Sequence, residues 1–254
     1  MGFFSKIGDM WNVGCNPHKI ERKNQEKQVV PPPAPTKEVV VEPPVVARPP
    51  KQEDIKWIYP KNHKYVADPD GGKKMLSTKG NKPAGIVIHH TATYNLNSTV
   101  NYFKKNVVDV QFVLGHDGKI IQMVPCNKTA AHAGKSEWNG KKWLNNSYIG
   151  IEVVNIGWLK KKGNKFYDGY KRLWKGEVRE RKAEGFKYWE PFTAAQEKEL
   201  LELCVWLVKE YDIPIENIAA HFEVSPGRKN DPAGGLSMSF DQFRNSVRSR
   251  VFQT

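Results

Sequence analysis

Three histidines and one aspartate have the residue types and the sequence context of a metal site. His89 and His90 directly follow the apolar run 85–88, and His221 ends a second short apolar run. Asp231 comes ten residues after His221, behind a loop of Pro, Gly, Arg and Lys. Two imidazoles and a carboxylate from separate segments suit catalytic zinc, which takes three protein ligands and leaves one position open. The spacing is not specific, however, because paired histidines also occur at the ends of ordinary strands.

Three further histidine assignments compete for the metal, namely His63, His90 and His116. Successive side chains of a strand point to opposite faces, so His90 turns away from His89 if the strand continues through it. His116 falls in a predicted hairpin turn, where we expect it to be solvated. We therefore take His89 as the ligand.

Two charged residues could act beside such a metal. Glu152 is the one charged residue in the apolar run 148–154, and a buried, unpaired carboxylate is costly enough to need a partner or a chemical role. It is either a general base or an ordinary glutamate that is salt-bridged or exposed at a strand edge. Lys229, two residues before Asp231, is either a charge that stabilises an oxyanion or a solvated lysine beside Arg228.

Apolar runs predict the strands that would position these residues. Residues 85–89 and 148–154 predict buried strands, and residues 110–114 and 119–124 flank an Asp-Gly turn that predicts a β-hairpin.

Helix signals dominate the last quarter of the chain. Thr193 and Ser239 each begin a Thr/Ser-x-x-Gln capping box, which predicts a helix start. The first helix has an apolar stripe that includes Cys204, which we interpret as a small core residue, and Pro214 ends this helix. From about residue 55 to 254 the chain therefore predicts one α/β domain with a mixed central β-sheet flanked by helices.

The N-terminal part of the chain differs in composition from the rest. Residues 1–15 have apolar side chains at helical spacing and predict a short amphipathic helix, which could dock on a membrane or a protein. Residues 16–54 are rich in proline and charge and predict an extended linker or tail. Asp9 interrupts any apolar segment of a signal peptide, so no clear signal peptide is found.

Charge and composition narrow the functional classes. Lys+Arg 40 against Asp+Glu 27 gives a net charge of +13, which favours an anionic partner such as nucleic acid, anionic lipid or cell wall. The chain has three widely spaced cysteines and no apolar run of about 18 residues, so a disulfide-stapled miniprotein and a membrane channel are excluded.

Three strings occur in a fixed order: IVIHHTAT (86–93), AAHAGKSEWNGKKWLNNSYIGIE (130–152) and HFEVSPGRKNDP (221–232). Over about residues 80–252 they resemble the zinc N-acetylmuramoyl-L-alanine amidases of the peptidoglycan-recognition-protein-like superfamily. That family includes bacterial recycling amidases and phage endolysins. The resemblance implies a peptidoglycan hydrolase that cuts the amide between N-acetylmuramic acid and the L-alanine of the stem peptide.

The resemblance also implies roles for individual residues. Zn²⁺ would be held by His89, His221 and Asp231, with Glu152 as the general base and Lys229 supporting the transition state. The residues expected to contact the substrate are His132, Trp138, Asn155 and Arg228.

Residues 155–192 form a longer segment than the short connection expected in smaller family members. The segment has 11 Lys/Arg against five acidic residues, interleaved with aromatic residues. This mixture suits a wall of the substrate groove, a surface hairpin with half-buried rings, or a nucleic-acid contact.

Two alternatives to the enzyme remain open. A peptidoglycan-binding module on the same fold would keep the groove without catalysis. A nucleic-acid-binding protein would use the charge surplus, nearly all of which lies outside residues 1–54, but we expect no nucleic-acid partner. We expect a monomer that acts on the cell wall or in the periplasm, with a phage-encoded or virion-associated protein as one option.

Overall fold

The structure of the protein is a computed structural model that describes residues 65–67, 80–106 and 108–253. The predictions for residues 1–15, for residues 16–54 and for His63 lie outside the described residues. Within the described ranges, no helix combines the length and the apolar character needed to cross a membrane.

A six-stranded mixed sheet forms the centre of the fold. In spatial order its strands are β1 (Tyr65–Ala67), β4 (Ile120–Gln122), β3 (Phe112–Leu114), β7 (Tyr148–Val153), β2 (Gly85–His90) and β13 (Ile218–Ala220). Strands β3 and β4 pair antiparallel, and every other neighbouring pair is parallel. The predicted mixed sheet and the predicted hairpin are confirmed.

Helices cover both faces of this sheet. Their bounds are α1 (Leu96–Lys105), α2 (Ala194–Tyr211), α3 (His221–Val224) and α4 (Phe240–Phe252). Both predicted capping boxes are present, because the Thr193 and Ser239 side chains accept the backbone N–H groups of Gln196 and Gln242. Cys204 is fully buried in the core cluster that α2 and α4 share with the sheet, which confirms its assignment.

The segment 155–192 folds into a second sheet that the sequence did not predict. Its strands, in spatial order, are β10 (Leu173–Trp174), β9 (Lys165–Tyr167), β8 (Trp158–Lys162), β12 (Phe186–Trp189) and β11 (Arg179–Ala183). All its neighbouring strands are antiparallel. A small hairpin, β5 (Glu137–Trp138) and β6 (Lys141–Lys142), lies elsewhere in the chain.

The second sheet is attached through its β11–β12 edge. Arg181 donates hydrogen bonds from Nη1 to the carbonyl oxygens of Leu236 and Met238, at 2.8 and 2.9 Å, and Arg179 donates to the carbonyl of Gly235. Trp189 is fully buried. Arginine–carbonyl bonds and one large buried ring therefore fix this sheet against residues 234–238.

Candidate active site

The carboxyl ends of three parallel strands bring the predicted metal ligands together. His89 is near the end of β2, and His221 begins α3 directly after β13. In the β2–β7 register His89 pairs with Glu152, so both side chains lie on one face of the sheet. Polar groups at this edge follow the general tendency of open α/β sheets to place their sites there.

Three ligand atoms converge at one buried point. His89 Nδ1 lies 2.7 Å from His221 Nδ1, and Asp231 Oδ2 lies 3.3 Å from the first nitrogen and 2.9 Å from the second. All three residues are buried, and among the described residues they are the group whose arrangement fits a metal ion. The predicted trio is therefore assembled as the sequence analysis expected.

Hydrogen bonds to backbone carbonyl oxygens assign the tautomers of His132, His89 and His221. Tyr148 O can only accept, so the His132 Nε2–H donates to it at 3.1 Å, and His132 Nδ1 then accepts the Nε2–H of His89 at 3.0 Å. The Nε2–H of His221 likewise donates to Ala133 O at 3.2 Å. Both Nδ1 atoms therefore direct lone pairs, not protons, at the shared point.

Burial favours the neutral imidazoles that a metal requires. Burial and the neighbouring His221 lower the pKa of His89 to about 3, and burial lowers the pKa of His221. At neutral pH both rings are therefore neutral, and Asp231 provides the carboxylate of the cluster.

Zinc fits this donor set. A tetrahedral zinc ion with bonds of about 2.0–2.2 Å separates its ligand atoms by roughly 3.3–3.6 Å. The three observed separations, 2.7, 2.9 and 3.3 Å, lie at or below that range, so a small outward movement of the side chains accommodates the ion. Two opposed lone pairs beside a carboxylate would repel one another without a cation.

Glu152 is the most unusual group in the site. It is 0% exposed, and neither carboxylate oxygen has a hydrogen-bond partner among the residues that the structure describes. Burial raises its pKa well above the ordinary value, the charge of Asp231 adds to the rise, and Lys229 opposes it. Within the part of the chain that the structure describes, Glu152 has no hydrogen-bonded partner, which disfavours the salt-bridged alternative.

Lys229 and Arg228 lie on the loop that returns to Asp231. The pKa of the Lys229 amine is lowered by burial, while the charges of Asp231 and Glu152 oppose that shift. Lys229 is therefore a partly buried charge near both carboxylates rather than a freely solvated loop residue. Arg228 donates from Nη2 to the carbonyls of Ala133 and Lys135, at 2.8 and 2.9 Å.

Three residues expected to contact substrate occupy structural positions instead. His132 is 2% exposed and lies behind His89, so it is not on a groove wall. Asn155 is fully buried; it donates from Nδ2 to Glu190 O and accepts the N–H of Gly157. Trp138 is half-buried and donates from Nε1 to Glu216 O at 2.8 Å.

The competing histidines are also placed. His90 points away from His89, as predicted, and its ring packs on Gly157 and near Trp189. His116 was expected to be solvated, but its Nε2 lies 3.0 Å from Glu190 Oε1 and its side chain is only one-third exposed. Its carbonyl also accepts the hydroxyl of Thr193, so this turn is tied to the start of α2.

A groove of about 590 Å³ opens next to Arg228. Its lining includes Lys135, Lys142 and Trp143, of which Trp143 is 54% exposed with a left-handed φ of 57°. Trp138 and Trp143 both lie in the string 130–152, but only Trp138 was predicted to contact the substrate. The sequence does not show that Trp143 has a left-handed backbone. Such a conformation is uncommon at a bulky residue and can indicate a functional position.

The fold and the site define an α/β protein with a buried His-His-Asp centre at the carboxyl edge of its main sheet. Residues 79–234, more than half of the chain, match the family described as N-acetylmuramoyl-L-alanine amidase, and the protein belongs to this family.

Two curated relatives and one solved structure illustrate the likeness. The chain is 34% identical over 153 residues to N-acetylmuramoyl-L-alanine amidase AmiD of Escherichia coli K12, covering 58% of this chain and 48% of AmiD. It is 26% identical over 140 residues to 1,6-anhydro-N-acetylmuramyl-L-alanine amidase AmpD of Salmonella typhimurium LT2, covering 55% and 57% of the two chains.

A solved complex of the E. coli AmiD amidase with anhydro-N-acetylmuramic acid-L-Ala-D-γ-Glu-L-Lys superposes with a TM-score of 0.51 at 28% identity. The superposition covers 67% of this chain and 60% of that one, and it supports the fold assignment. The chain spans about half the length of the curated relatives it matches.

Proposed function

We propose that this protein hydrolyses the amide between N-acetylmuramic acid and the L-alanine of the peptidoglycan stem peptide, at the cell wall. The single observation that supports this most is the buried, unpartnered Glu152 beside a complete His89, His221 and Asp231 set. A binding module would gain nothing from a carboxylate held at such cost. Membership of the amidase family gives the reaction class.

The roles of the chain's own residues follow from their positions. His89, His221 and Asp231 would hold Zn²⁺, which when bound acidifies water and polarises a carbonyl. Glu152 removes a proton from the attacking water, whose oxygen forms the new bond to the amide carbon. Lys229 stabilises the negative charge that develops on the carbonyl oxygen. Glu152 then returns the proton to the departing alanine nitrogen as the C–N bond breaks.

The groove beside Arg228 suits the stem peptide. Lys135, Lys142 and Arg228 provide positive charge for peptide carboxylates, and Trp143 provides an exposed apolar surface. Of the four residues expected to contact substrate, Arg228 is the one that we retain in that role.

Glu152→Gln tests the proposal directly. The substitution keeps the size of the side chain but removes the base, so we expect zinc content to stay at the parental level and turnover to fall by about 10²–10⁴-fold. The measurement is mass spectrometry of stem peptides released from purified peptidoglycan. Exposed Glu184 supplies the matched control, since Glu184→Gln should leave the rate unchanged.

Two results would contradict the proposal. Parental turnover in the Glu152→Gln protein would remove the base from the mechanism. Undiminished turnover after a chelator has removed all detectable zinc would show that the reaction does not need the metal. A parental protein that binds peptidoglycan but releases no peptide would instead support the binding-module alternative.

A further inference from the structure

An aromatic patch lies where the loop after β2 meets the turn before β10. It consists of Tyr94, Tyr170, Arg172 and Trp174. The Arg172 guanidinium carbon lies 4.8 Å from the Tyr170 ring centroid and 5.3 Å from that of Tyr94. The Trp174 ring meets Tyr94 edge-on at 6.4 Å. Tyr94 is 53% exposed, an uncommon position for so large a ring.

The aromatic patch is held in place by hydrogen bonds and by an ion pair between Arg172 and Asp168. Asp168 is 4% exposed; one of its oxygens accepts the backbone N–H groups of Tyr170 and Arg172, and the other accepts Arg172 Nε at 2.7 Å. Trp174 donates from Nε1 to Glu177 O at 2.9 Å. A guanidinium and an indole that are already fixed lose little further freedom when a ligand binds, so the patch is preorganised.

The aromatic patch is connected to the candidate active site through the loop that follows β2. Tyr94 follows His89 by five residues, so the two Cα atoms are at most about 18 Å apart. Thr93 forms a backbone bridge with Asn155, which connects this loop to the start of the second sheet. A polymer that enters the active site would therefore reach the patch with its next units.

We propose that the aromatic patch binds the glycan strand of peptidoglycan on one side of the cleaved amide, an inference that rests on the proposed function. The apolar faces of sugar rings pack against aromatic faces, as other apolar groups do. The surrounding segment 155–192 has 11 Lys/Arg against five acidic residues, and this charge complements the carboxylates of the stem peptides. The patch thus favours polymeric peptidoglycan over a single sugar with its peptide.

Two substrates separate this role from catalysis. We expect Trp174→Ala and Tyr94→Ala each to lower the hydrolysis rate on purified sacculi by about two- to tenfold, the range expected for one lost aromatic contact. The rate on soluble N-acetylmuramoyl-tripeptide, which lacks the neighbouring sugars of the glycan strand, should stay within twofold of the parental value. Tyr94→Phe keeps the ring and should retain the parental rate on sacculi. Phe252→Ala, at a ring on α4 that is 77% exposed against 53% for Tyr94, is the control.

Three results would overturn the inference: equal losses on both substrates, no loss on either, or a parallel loss of duplex DNA binding, which would indicate a general polyanion surface. If the parental chain cuts neither substrate, the proposed function fails, but the patch can still be tested. In that case Glu152→Gln protein is sedimented with sacculi, with and without Trp174→Ala. A fraction bound that Trp174→Ala leaves unchanged would then refute the glycan site.

Discussion

His132 fixes the ring of a proposed zinc ligand, and its removal should weaken metal binding without touching the metal. Its Nδ1 accepts from His89 Nε2 at 3.0 Å, and its own Nε2 donates to Tyr148 O at 3.1 Å. These two hydrogen bonds keep the lone pair of His89 Nδ1 directed at His221 and Asp231. In His132→Ala the His89 ring can rotate and carry its proton on either nitrogen.

The size of the effect follows from this geometry. Loss of a hydrogen-bonded group behind a metal-ligating histidine typically costs 10–100-fold in metal affinity, so we expect a loss of about 1.4–2.7 kcal/mol in the free energy of zinc binding. His132→Asn keeps an acceptor near the position of Nδ1 and should recover part of the affinity. Gly150→Ala should displace the same ring from the side of strand β7, since an added Cβ would lie 2.6 Å from His132 Cγ.

Zinc affinity is measured by competition with a chromophoric chelator, on protein whose folding is checked by circular dichroism. The expected order of affinity is parental, then His132→Asn, then His132→Ala, with Gly150→Ala also below parental. If folded His132→Ala binds zinc as tightly as the parental chain, the proposed hydrogen-bond relay does not position His89.

Two further predictions concern stability. Burial raises the pKa of Asp109 from 3.8 to about 6, so the folded state holds its proton more tightly than the unfolded state, and stability falls as pH rises through that interval. Asp109→Asn should therefore raise the free energy of unfolding above pH 6 by on the order of 3 kcal/mol, shrinking toward pH 4; equal melting temperatures at pH 8 would contradict this. Gly234→Ala would place a Cβ 2.1 Å from the Trp189 ring and should destabilise the protein by about 1–3 kcal/mol in denaturant titration, whereas Gly80→Ala, with nothing within 4 Å, should be neutral.

Local sequence signals predicted β2, β3, β4 and β7 of the main sheet and the helices α2 and α4, but not β1, α1 or α3. The capping boxes at Thr193 and Ser239 marked helix starts because the hydrogen bonds involved lie within four residues. The apolar runs that became β2 and β7 are buried along their whole length, as continuous apolar strands of parallel sheets are. The metal trio needed the family resemblance, because its members come from three distant segments.

The second sheet was not predictable by the same signals. Its strands are rich in lysine, arginine and aromatic residues, and only Leu159 and Trp189 of them are buried. What holds the sheet in place is non-local: Arg179 and Arg181 reach carbonyl groups more than 50 residues away. The position of His132 could likewise not be predicted from the sequence, because its ring occupies the space left by the missing side chain of Gly150 in β7.

Strand register explains why the proposed base can remain unpartnered in the folded protein. His89 and Glu152 are opposite each other on adjacent parallel strands that are buried along their whole length. A slip of one residue in either strand would turn that strand's polar side chain to the other face and carry Ile88 or Ile151 out of the core, so the apolar residues specify the register. The packing of its strand neighbours thus offsets the unfavourable free energy of burying Glu152. The carboxylate cannot turn toward solvent without disrupting the sheet. The rigidity of this edge is what keeps a base beside the metal ligands rather than in an ordinary salt bridge.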